Sequence, residues 1–452
     1  MRICDLTEQR VGILGLGVEG QAALLALRRA GHASCVAVLV EKPVPVAAEW
    51  GEVRQYTGGE AEAVLAQVQV LIRSPGFAPH HPLRQRADHL GVAQTTPTNL
   101  YLAEARQAGL PVVGITGSKG KSTTSTLLYE SLRAAGLPVA LLGNIGVAAL
   151  AHWPEVLAGR QITVLEMSSY QCDDLVLGPS VAVVLNLFPE HMDWHGSVEA
   201  YYLAKMRIGA TQLAGDALRI DQRAVPWMQR LRPVAAEAVI LEQGGYHIAD
   251  GSFWRGDRRL FPCSSMRLPG RHNWENGCAV LAAAELFGVG AEVVQAVMGH
   301  FNGLPYRMSD LGLRGGIRWI NDAISTAPEA TVAALQAFLP QVATLIVGGK
   351  DRGYDYTPLV ERLAESAVRT VILLPDSGSR VAALLRARSG LACRVVEVAD
   401  LVEAVAQAKA LTPVGWSCLF SPGAPSYNQF ANFSARGQAF QAAVGEEDAC
   451  GA

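Results

Sequence analysis

The sequence predicts an α/β fold in three domains, which we place at residues 1–98, 99–305 and 306–452. The chain has 452 residues, which is more than a single hydrophobic core usually serves. Short apolar runs alternate with helical patterns along the chain, and this alternation indicates parallel sheets covered by helices. Two of the runs lead through a glycine-rich turn directly into a helix, as in Rossmann-like and phosphate-loop domains.

The composition is that of a well-packed globular protein, with 50% hydrophobic residues, 17% charged residues and a formal net charge of −3. No block of Lys or Arg favours nucleic acid or an anionic membrane as a partner. The first ten residues carry charges where a signal peptide needs an apolar run, and no run is long enough to span a membrane. The 8 cysteines are scattered without a CxxC pair, which favours reduced thiols over a disulfide scaffold or a zinc site. We therefore expect a soluble, cytoplasmic monomer.

The first domain begins like a Rossmann-like unit, in which an apolar strand leads through a G-x-G-x-x-G turn into a helix. The strand is predicted at residues 11–14, and the glycines of the turn are Gly15, Gly17 and Gly20. A second apolar run ends in Glu41, about twenty residues on, where such folds place an acid near a ribose or base. A third run ends at Arg73-Ser74-Pro75-Gly76. By itself the G-x-G-x-x-G string also fits a tight turn that binds nothing.

The strongest single motif is a phosphate loop in the second domain. An apolar run at residues 111–116 leads into the string G-S-K-G-K-S-T and a helix. In such a loop, backbone N–H groups and the positive end of the helix form a cradle for phosphate. Lys121 would neutralise the β- and γ-phosphates of ATP, and the Ser122 hydroxyl would ligate Mg²⁺. Ile115 departs from the general form of the motif, so the loop is a variant.

Three polar residues downstream could belong to the same site. Glu166 ends a predicted strand at residues 162–166, and His191 follows another at 181–187. An acid at the first position could hold a cation or a metal-bound water, although a strand-end carboxylate is often merely solvated. A lone histidine at a strand end is usually structural. Lys205, on a predicted helix, would by itself be taken for a surface lysine.

The third domain repeats the α/β pattern, with apolar runs at residues 317–320, 344–347, 371–374 and 417–420. We expect another Rossmann-like domain there. Since the chain holds two nucleotide-type turns, it should bind two nucleotide-like ligands, one that is hydrolysed and one that is only held.

Eight motifs occur in an order that resembles the Mur ligase family. The strings are G-I-T-G-S-K-G-K-S-T, L-E-M-S-S-Y-Q, N-L-F-P-E-H-M-D, A-K-M-R-I, G-R-H-N-W-E-N, F-N-G-L-P-Y-R, W-I-N-D and S-P-G-A-P-S-Y-N-Q-F-A-N-F. The resemblance runs from about residue 11 to residue 440. It is strongest to the MurD-type branch, which adds glutamate to UDP-N-acetylmuramoyl-L-alanine.

The resemblance implies an ATP-dependent ligase of peptidoglycan precursor synthesis. The alanine carboxylate of the uridine-linked substrate would attack the γ-phosphate of ATP and form an acyl phosphate. The glutamate amine would then attack the acyl carbon, and phosphate would leave. Both steps develop negative charge on oxygen atoms, so cations, including two Mg²⁺ ions, should supply much of the stabilisation.

The resemblance also implies the site residues. The catalytic residues would be Lys121, His191 and Lys205, and Lys205 would carry a carbamate. The metal ligands would be Ser122, Glu166, His191 and carbamylated Lys205. ATP would contact Gly117, Ser118, Lys119, Gly120, Lys121, Ser122, Thr123, Asn273, Asn276, Arg307 and Asp322. The uridine-linked substrate would contact Gly15, Gly17, Gly20, Glu41, Ser74, Asn144, Ser168 and Gln171. Glutamate would contact Thr326, Arg352, Ser426 and Phe433.

The acceptor region departs from the common D-glutamate-adding pattern. Ile324 stands where that pattern has a lysine, Arg352 stands where some members have lysine, and Pro425 precedes Ser426. Outside this region, Glu190 replaces the usual aspartate, and Glu19 stands where a small hydroxyl residue is common. D-Glutamate is the family default, but these changes leave L-glutamate equally open.

Three other functions compete with this interpretation. The first is another ligase of the superfamily, such as a MurC-, MurE- or MurF-type enzyme or a folylpolyglutamate synthase. The Rossmann-like first domain with its Ser-Pro-Gly string argues against the folylpolyglutamate synthase. The second is a catalytically inactive nucleotide-binding regulatory module, which the intact lysines, acid and histidine of the central domain disfavour. The third is an NAD-dependent dehydrogenase, which would need a hydride-transfer base that the sequence does not reveal.

Overall fold

The computed structural model describes residues 1–31, 36–43, 53–145, 147–231, 236–242, 245–268, 270–326, 328–351, 354–388 and 393–445. The chain divides into two compact units, Met1–Phe301 and Asn302–Ala452. Both units are α/β and contain parallel sheets, as the sequence predicts.

The first sheet of the amino-terminal unit is parallel and five-stranded. Its elements are β1 (Val11–Leu14), α1 (Val18–Arg29), β2 (Val36–Leu39), β3 (Gln55–Tyr56), α2 (Gly58–Leu65), β4 (Val70–Arg73), α3 (Pro82–His89) and β5 (Ala93–Thr95). The strand order is β3-β2-β1-β4-β5. All residues of β1 and β4 are buried because helices cover both faces of the sheet.

The second sheet, six-stranded and parallel, carries the phosphate loop. Its elements are α4 (Pro97–Gln107), β6 (Val112–Thr116), α5 (Lys121–Ala134), β7 (Val139–Gly143), α6 (Trp153–Ala158), β8 (Ile162–Glu166), α7 (Ser169–Cys172), β9 (Val181–Val184), α8 (Met192–His195), α9 (Val198–Ala210), β10 (Ala217–Asp221), α10 (Val225–Met228) and β11 (Glu237–Leu241). The order β11-β10-β9-β6-β8-β7 places β6 between β9 and β8. The carboxyl ends of these strands therefore meet at the phosphate loop.

Strand β9 is shorter than the sequence predicts. It ends at Val184 rather than at residue 187. Beyond it, the chain turns to brace the phosphate loop, and the carbonyl oxygen of Asn186 accepts a hydrogen bond from the Ser118 N–H at 2.8 Å. The apolar run therefore continues past the end of the strand.

A small antiparallel sheet that the sequence analysis did not predict follows the second parallel sheet. It and the last helices of the unit are β12 (Tyr246–Ala249), β13 (Ser252–Arg255), β14 (Arg258–Pro262), α11 (Arg271–Ala284) and α12 (Ala291–His300). Phe253 and Phe261 of this sheet belong to the same hydrophobic cluster as Cys278 of α11 and Leu128 of α5. The small sheet thus covers helices that flank the phosphate loop.

The carboxyl-terminal unit contains one mixed sheet. Its elements are β15 (Ser309–Arg314), β16 (Ile317–Asn321), α13 (Pro328–Phe338), β17 (Val342–Gly349), α14 (Thr357–Ala364), β18 (Thr370–Asp376), α15 (Ser377–Ala387), β19 (Arg394–Glu397), α16 (Leu401–Leu411), β20 (Ser417–Phe420) and α17 (Phe433–Gly445). The order is β15-β16-β20-β17-β18-β19, with β15 antiparallel to β16 and the other pairs parallel. The four apolar runs predicted as strands are all strands here.

The cysteines that the structure describes carry free thiols. Those that are free are Cys4, Cys172, Cys263, Cys278, Cys393 and Cys418. Among the helices that the structure describes, none is both long and apolar enough to cross a membrane.

Candidate active site

The phosphate loop joins β6 to α5. Gly120 caps α5 with a left-handed backbone (φ 84°), which strains any residue that has a side chain. A Cβ atom on Gly120 would lie 2.3 Å from Oδ1 of Asn276. Glycine therefore lets α11 bring Asn276 against the loop. On the other side, the N–H groups of Ser118 and Lys119 donate to the backbone and side-chain oxygens of Asn186 at 2.8 and 2.9 Å.

Two lysines converge on one carbonyl oxygen of this loop. Nζ of Lys121 donates to the carbonyl oxygens of Gly117 at 2.8 Å and Ser118 at 2.9 Å. Nζ of Lys205, on α9, donates to the same Gly117 oxygen at 3.0 Å and lies over the ring of Tyr201. Lys205 is therefore not the surface lysine that its isolated position in the sequence would suggest.

The side chain of Lys205 is only 1% exposed. Burial, and secondarily the positive charge of Lys121, lower the pKa of the Lys205 ammonium to about 7. The charges of Glu190 and Glu166 oppose this shift. Near neutral pH, a substantial fraction of the Lys205 amine is therefore unprotonated and nucleophilic.

Glu166 offers a buried carboxylate oxygen at the end of β8. Its Oε1 accepts from Nδ2 of Asn144 at 3.2 Å, and its backbone oxygen accepts from the Asn144 N–H at 2.9 Å. Its Oε2 is buried and has no hydrogen-bond partner among the described residues. A buried carboxylate oxygen is costly unless a donor or a cation satisfies it. This oxygen is therefore suited to a cation.

The carboxylates and imidazoles of the described residues do not form a metal site by themselves. The described residues contain no group of three or more His, Cys, Asp or Glu side chains that could hold a metal ion. Mg²⁺ at nucleotide sites commonly uses one or two carboxylates and completes its shell with phosphate oxygens and water. Glu166 beside a phosphate loop fits that pattern.

His191 and its aromatic neighbours line the region that follows β9. His191 has a left-handed backbone (φ 59°), which is uncommon for a residue with a side chain and is typical of functional sites. Its ring centroid lies 5.1 Å from that of Tyr170 and 6.1 Å from that of Tyr201. The neighbouring Glu190 forms an ion pair with Lys119 of the phosphate loop.

The glycine-rich turn after β1 is closely packed. A Cβ atom on Gly20 would lie 1.9 Å from the carbonyl oxygen of Gly15, so only glycine fits at this position in the first turn of α1. Oγ of Ser74, which follows β4, donates to that same carbonyl oxygen at 3.0 Å. The structure thus brings the glycine turn and the Ser-Pro-Gly loop together, as expected for one binding site. Among the described residues, no atom beyond the chain neighbours of Gly17 lies within 4 Å of the position that a Cβ on Gly17 would occupy.

The turn also contacts the loop that follows β8. Ser168 and Gln171 cap α7 reciprocally, and Nε2 of Gln171 donates to Oε1 of Glu19 at 2.9 Å. Removal from water raises the pKa of the Glu19 carboxyl to about 7, although the Gln171 bond opposes the shift. Glu41, also predicted to contact the uridine-linked substrate, has a side chain that is 72% exposed and lies 3.3 Å from Nε2 of His81.

In the carboxyl-terminal unit, Asp322 is the centre of a buried hydrogen-bond network. Its Oδ2 accepts from the hydroxyls of Ser325 (2.5 Å) and Ser421 (2.7 Å), and its Oδ1 accepts from the Met308 N–H (3.1 Å). Burial raises the pKa of Asp322, while these hydrogen bonds and the charge of Arg307 oppose the rise. The network fixes the loop after β16 against the loop after β20.

The residues expected to bind glutamate differ in exposure. Thr326 is exposed, Ser426 is buried, and Phe433 is half-buried at the start of α17. Arg352 lies outside the described residues. The sequence analysis did not single out Arg436, whose buried guanidinium donates to the carbonyl oxygens of Ala323 (2.8 Å) and Ala424 (2.9 Å).

Comparison with known proteins places the chain in a family. Residues 115–284 match the Mur ligase middle domain. A UDP-N-acetylmuramoyl-L-alanine–L-glutamate ligase of Micromonospora sp. is 39% identical, with 98% of this chain and 98% of that protein covered. A protein of the same name from Xanthomonas axonopodis pv. citri is 35% identical, with coverages of 99% and 98%.

This chain belongs to the Mur ligase family. As a member of that family it is an ATP-dependent ligase that forms amide bonds. The resemblance seen in the motifs of the sequence is therefore confirmed, and so is the ligase class that it implied.

Solved structures of Mur ligases share the fold. MurF from Acinetobacter baumannii has a TM-score of 0.57 at 18% identity, with 92% of this chain and 86% of that chain covered. MurC from Thermotoga maritima has a TM-score of 0.55 at 15% identity, with coverages of 96% and 98%. MurF from Thermotoga maritima, solved with ADP, has a TM-score of 0.54 at 16% identity, with coverages of 98% and 96%.

Two residues that hold the phosphate loop of this Mur ligase in place were not predicted as site residues. Asn186 accepts from two N–H groups of the loop, and Tyr201 lies within hydrogen-bond distance (3.0 Å) of the Ser118 hydroxyl. Asn186 begins the N-L-F-P-E-H string, so a signal for it was present. Tyr201 stands in a helix whose local sequence carries no such signal.

Proposed function

We propose that this Mur ligase joins L-glutamate to UDP-N-acetylmuramoyl-L-alanine and converts ATP to ADP and phosphate. The observation that carries the proposal is the near-complete coverage of relatives named UDP-N-acetylmuramoyl-L-alanine–L-glutamate ligase, at 35–39% identity. The substrate carboxylate attacks the γ-phosphorus and displaces ADP. The glutamate amine then attacks the resulting acyl phosphate, loses a proton and releases phosphate.

We assign one main ligand to each predicted domain. Residues 1–98 would hold the uridine-linked substrate, residues 99–305 would bind ATP, and residues 306–452 would bind glutamate. The packed turn formed by Gly15, Gly20 and Ser74 supports the first assignment. Asn144, Ser168 and Gln171 would contact the muramoyl end of the substrate, close to Glu166. We also propose that the enzyme acts in the cytoplasm as a monomer.

For ATP, the proposal rests on the phosphate loop, whose residues 117–123 would hold the phosphates through backbone N–H groups and the end of α5. Lys121 would leave the Gly117 and Ser118 carbonyl oxygens, which it now contacts, for the γ-phosphate. Asn276 would stand beside the nucleotide, and Asn273, one turn earlier on α11, would accompany it.

For Mg²⁺, we propose Ser122, Glu166, His191 and Lys205 as the groups that hold two ions. The metal would supply positive charge to the phosphate and carboxyl oxygens during the reaction. The buried Oε2 of Glu166, which has no partner among the described residues, supports this role. His191 would orient a ligand nitrogen from its left-handed position.

Lys205 would act as a carbamate. An ammonium group beside Lys121 repels cations, whereas a carbamate presents oxygens to them. Carbamate formation needs a neutral amine, which attacks CO₂ and releases a proton. The burial of Lys205 and its pKa of about 7 favour that neutral amine.

Glutamate would be held by Thr326, Arg352, Ser426 and Phe433. The buried position of Ser426 suits a hydroxyl that binds a desolvated carboxylate. The relatives' names favour L-glutamate over D-glutamate, the question that the sequence left open.

The function is tested by supplying the purified enzyme with UDP-N-acetylmuramoyl-L-alanine, ATP and Mg²⁺, and each of several amino acids in turn. Glutamate should give a product whose mass equals both substrates less one water, with one phosphate released per product. Alanine, aspartate and diaminopimelate serve as comparison acceptors. If the enzyme uses any of these three in preference to glutamate, the proposed acceptor is wrong. Phosphate release without a ligated product would contradict the proposed ligation itself.

A further inference from the structure

A partly buried ion cluster joins the two parallel sheets of the amino-terminal unit. Arg73, at the end of β4, is 1% exposed and forms an ion pair with Asp174, two residues after α7. Arg84 of α3 donates from one nitrogen to both carboxylate oxygens of Asp174, at 2.7 and 2.9 Å. Asp174 therefore stands between two guanidinium groups that come from the first sheet's elements.

The same guanidinium groups hold the Ser-Pro-Gly loop. Nη1 of Arg73 donates to the carbonyl oxygens of Ser74 (3.2 Å), Pro75 (3.4 Å) and Phe77 (3.0 Å). Nη1 of Arg84 also donates to the Phe77 oxygen at 3.4 Å. Asp174 orients both arginines, and the arginines hold the backbone of residues 74–77. Asp174 therefore influences the position of this backbone without contacting it.

The segment that follows β8, to which Asp174 belongs, has further anchors. The carbonyl oxygen of Asp174 accepts from Nδ2 of Asn99 at 2.8 Å. At the other end of this segment, Gln171 donates to Glu19 beside the glycine-rich turn. A third link comes from Trp194, whose indole N–H donates to the Gly76 oxygen at 3.2 Å. Residues 168–174 are thus held at both ends to elements of the first sheet.

The charges of the cluster agree with a fixed, ionised Asp174. Burial acts to raise the pKa of Asp174, but the attraction of Arg73 and Arg84 outweighs it and lowers the pKa. In the adjacent Asp173, burial and then the charge of Asp174 raise the pKa to about 6. Desolvation offsets much of the attraction within such ion pairs, so the cluster is weak evidence for added stability, and we assign it to fixing a geometry instead.

We propose that Asp174 is a positioning residue: through Arg73 and Arg84 it fixes the Ser74–Phe77 loop relative to the segment after Glu166. This inference rests on the proposed function, in which that loop holds the uridine end of the substrate and Glu166 stands near its reacting carboxyl end. The cluster then sets the distance between the two ends. A shift of about 1 Å in such a distance can lower a rate by roughly 10²-fold.

A matched control lies in the same unit. Asp216 accepts two hydrogen bonds from Arg106, at 2.6 and 2.8 Å, and is 6% exposed in its side chain. It precedes β10, so it lies at the amino ends of the parallel strands, at the edge opposite the phosphate loop. D174N and D216N therefore each remove a carboxylate charge that pairs with arginine. D174N does so at the proposed positioning site, and D216N does so at a purely structural site.

The kinetic test compares these two variants with the wild-type enzyme. D174N should lower kcat/KM for UDP-N-acetylmuramoyl-L-alanine by about 10- to 100-fold and leave the KM for ATP within about twofold. D216N should change neither constant. Equal effects of D174N and D216N on both constants, or an unchanged kcat/KM for this substrate in D174N, would overturn the positioning role.

A second measurement does not depend on the substrate. Amide hydrogen exchange without ligands should be faster in D174N than in D216N for residues 74–77 and 168–176, and similar elsewhere. If D174N does not fold, R84K is used, since lysine keeps the charge but loses the fork. Unchanged exchange in these segments would refute the proposal even in an enzyme that turns over. Faster exchange in an enzyme that rejects the substrate would instead count against the proposed function alone.

Discussion

At the scale of single residues, the site depends on two lysines that share the Gly117 carbonyl oxygen. Lys121 belongs to the phosphate loop, whereas Lys205 reaches it from α9. The sequence could predict Lys121 from the loop motif alone. The local sequence around Lys205 indicated a surface residue, and only the family resemblance indicated that Lys205 belongs to the active site. Its burial depends on residues far apart in the chain, and such packing has no local signature.

Lys121→Ala should nearly abolish turnover. The substitution removes a fixed cation from the phosphate loop, and losing such a transition-state contact costs roughly 3–4 kcal/mol, or about 10²–10³ in kcat. The measurement is phosphate release at saturating ATP. Arg133→Ala serves as the control because Arg133, on the same helix, is 63% exposed and pairs with Glu130. Near-normal turnover in Lys121→Ala would contradict the assignment of the ATP site.

Lys205→Ala should be almost inactive and should regain part of its activity with formate or acetate. A short carboxylate can occupy the space of the carbamate and offer its oxygens to the metal. Mass spectrometry in bicarbonate should also find the carbamate on wild-type Lys205. The carbamate assignment fails if only free lysine is found and Lys205→Ala remains active.

At the scale of secondary-structure elements, the apolar runs and glycine turns predicted most strands correctly. The small antiparallel sheet was missed, although its turns carry a recognisable signal. Asp250 and Gly251 both have positive φ, as a two-residue hairpin turn requires. Strand β9 was predicted too long because Asn186 leaves the sheet to brace the phosphate loop. A tertiary contact of that kind cannot be read from hydrophobic periodicity.

Gly120→Ala should weaken ATP binding as well as stability. The left-handed backbone costs about 1–2 kcal/mol for alanine, and the new Cβ would displace the Asn276 amide from the loop. Gly136→Ala is the matched control, because Gly136 follows the same helix with φ 79° and no atom of the other described residues, its chain neighbours aside, lies within 4 Å of where its Cβ would stand. Both variants should lose thermal stability through the left-handed backbone, Gly120→Ala more than Gly136→Ala because of its contact with Asn276, but only Gly120→Ala should raise the KM for ATP. Equal KM values for ATP in the two variants would contradict the role given to the Gly120–Asn276 contact.

At the scale of the whole molecule, three α/β segments were predicted, and the chain forms the units Met1–Phe301 and Asn302–Ala452. The two parallel sheets of the first unit share a hydrophobic cluster that includes Leu27 and Met206. The Asp174 ion cluster adds a polar link between them. Neither the shared hydrophobic cluster nor the ion cluster could be predicted from the sequence, because each joins residues about a hundred or more positions apart. The family and the ligase class, in contrast, follow from short ordered motifs, which the sequence displays directly.

The choice of glutamate enantiomer tests the central claim most directly. Glutamate brings two carboxylates and one amine, so inverting its α-carbon while both carboxylates stay anchored displaces the amine from the acyl phosphate. The measurement is kcat/KM for L- and D-glutamate with UDP-N-acetylmuramoyl-L-alanine, ATP and Mg²⁺, from phosphate release and product mass. The account predicts that L-glutamate is preferred by about 10²-fold or more. Equal values for the two enantiomers, or a preference for D-glutamate, would contradict it.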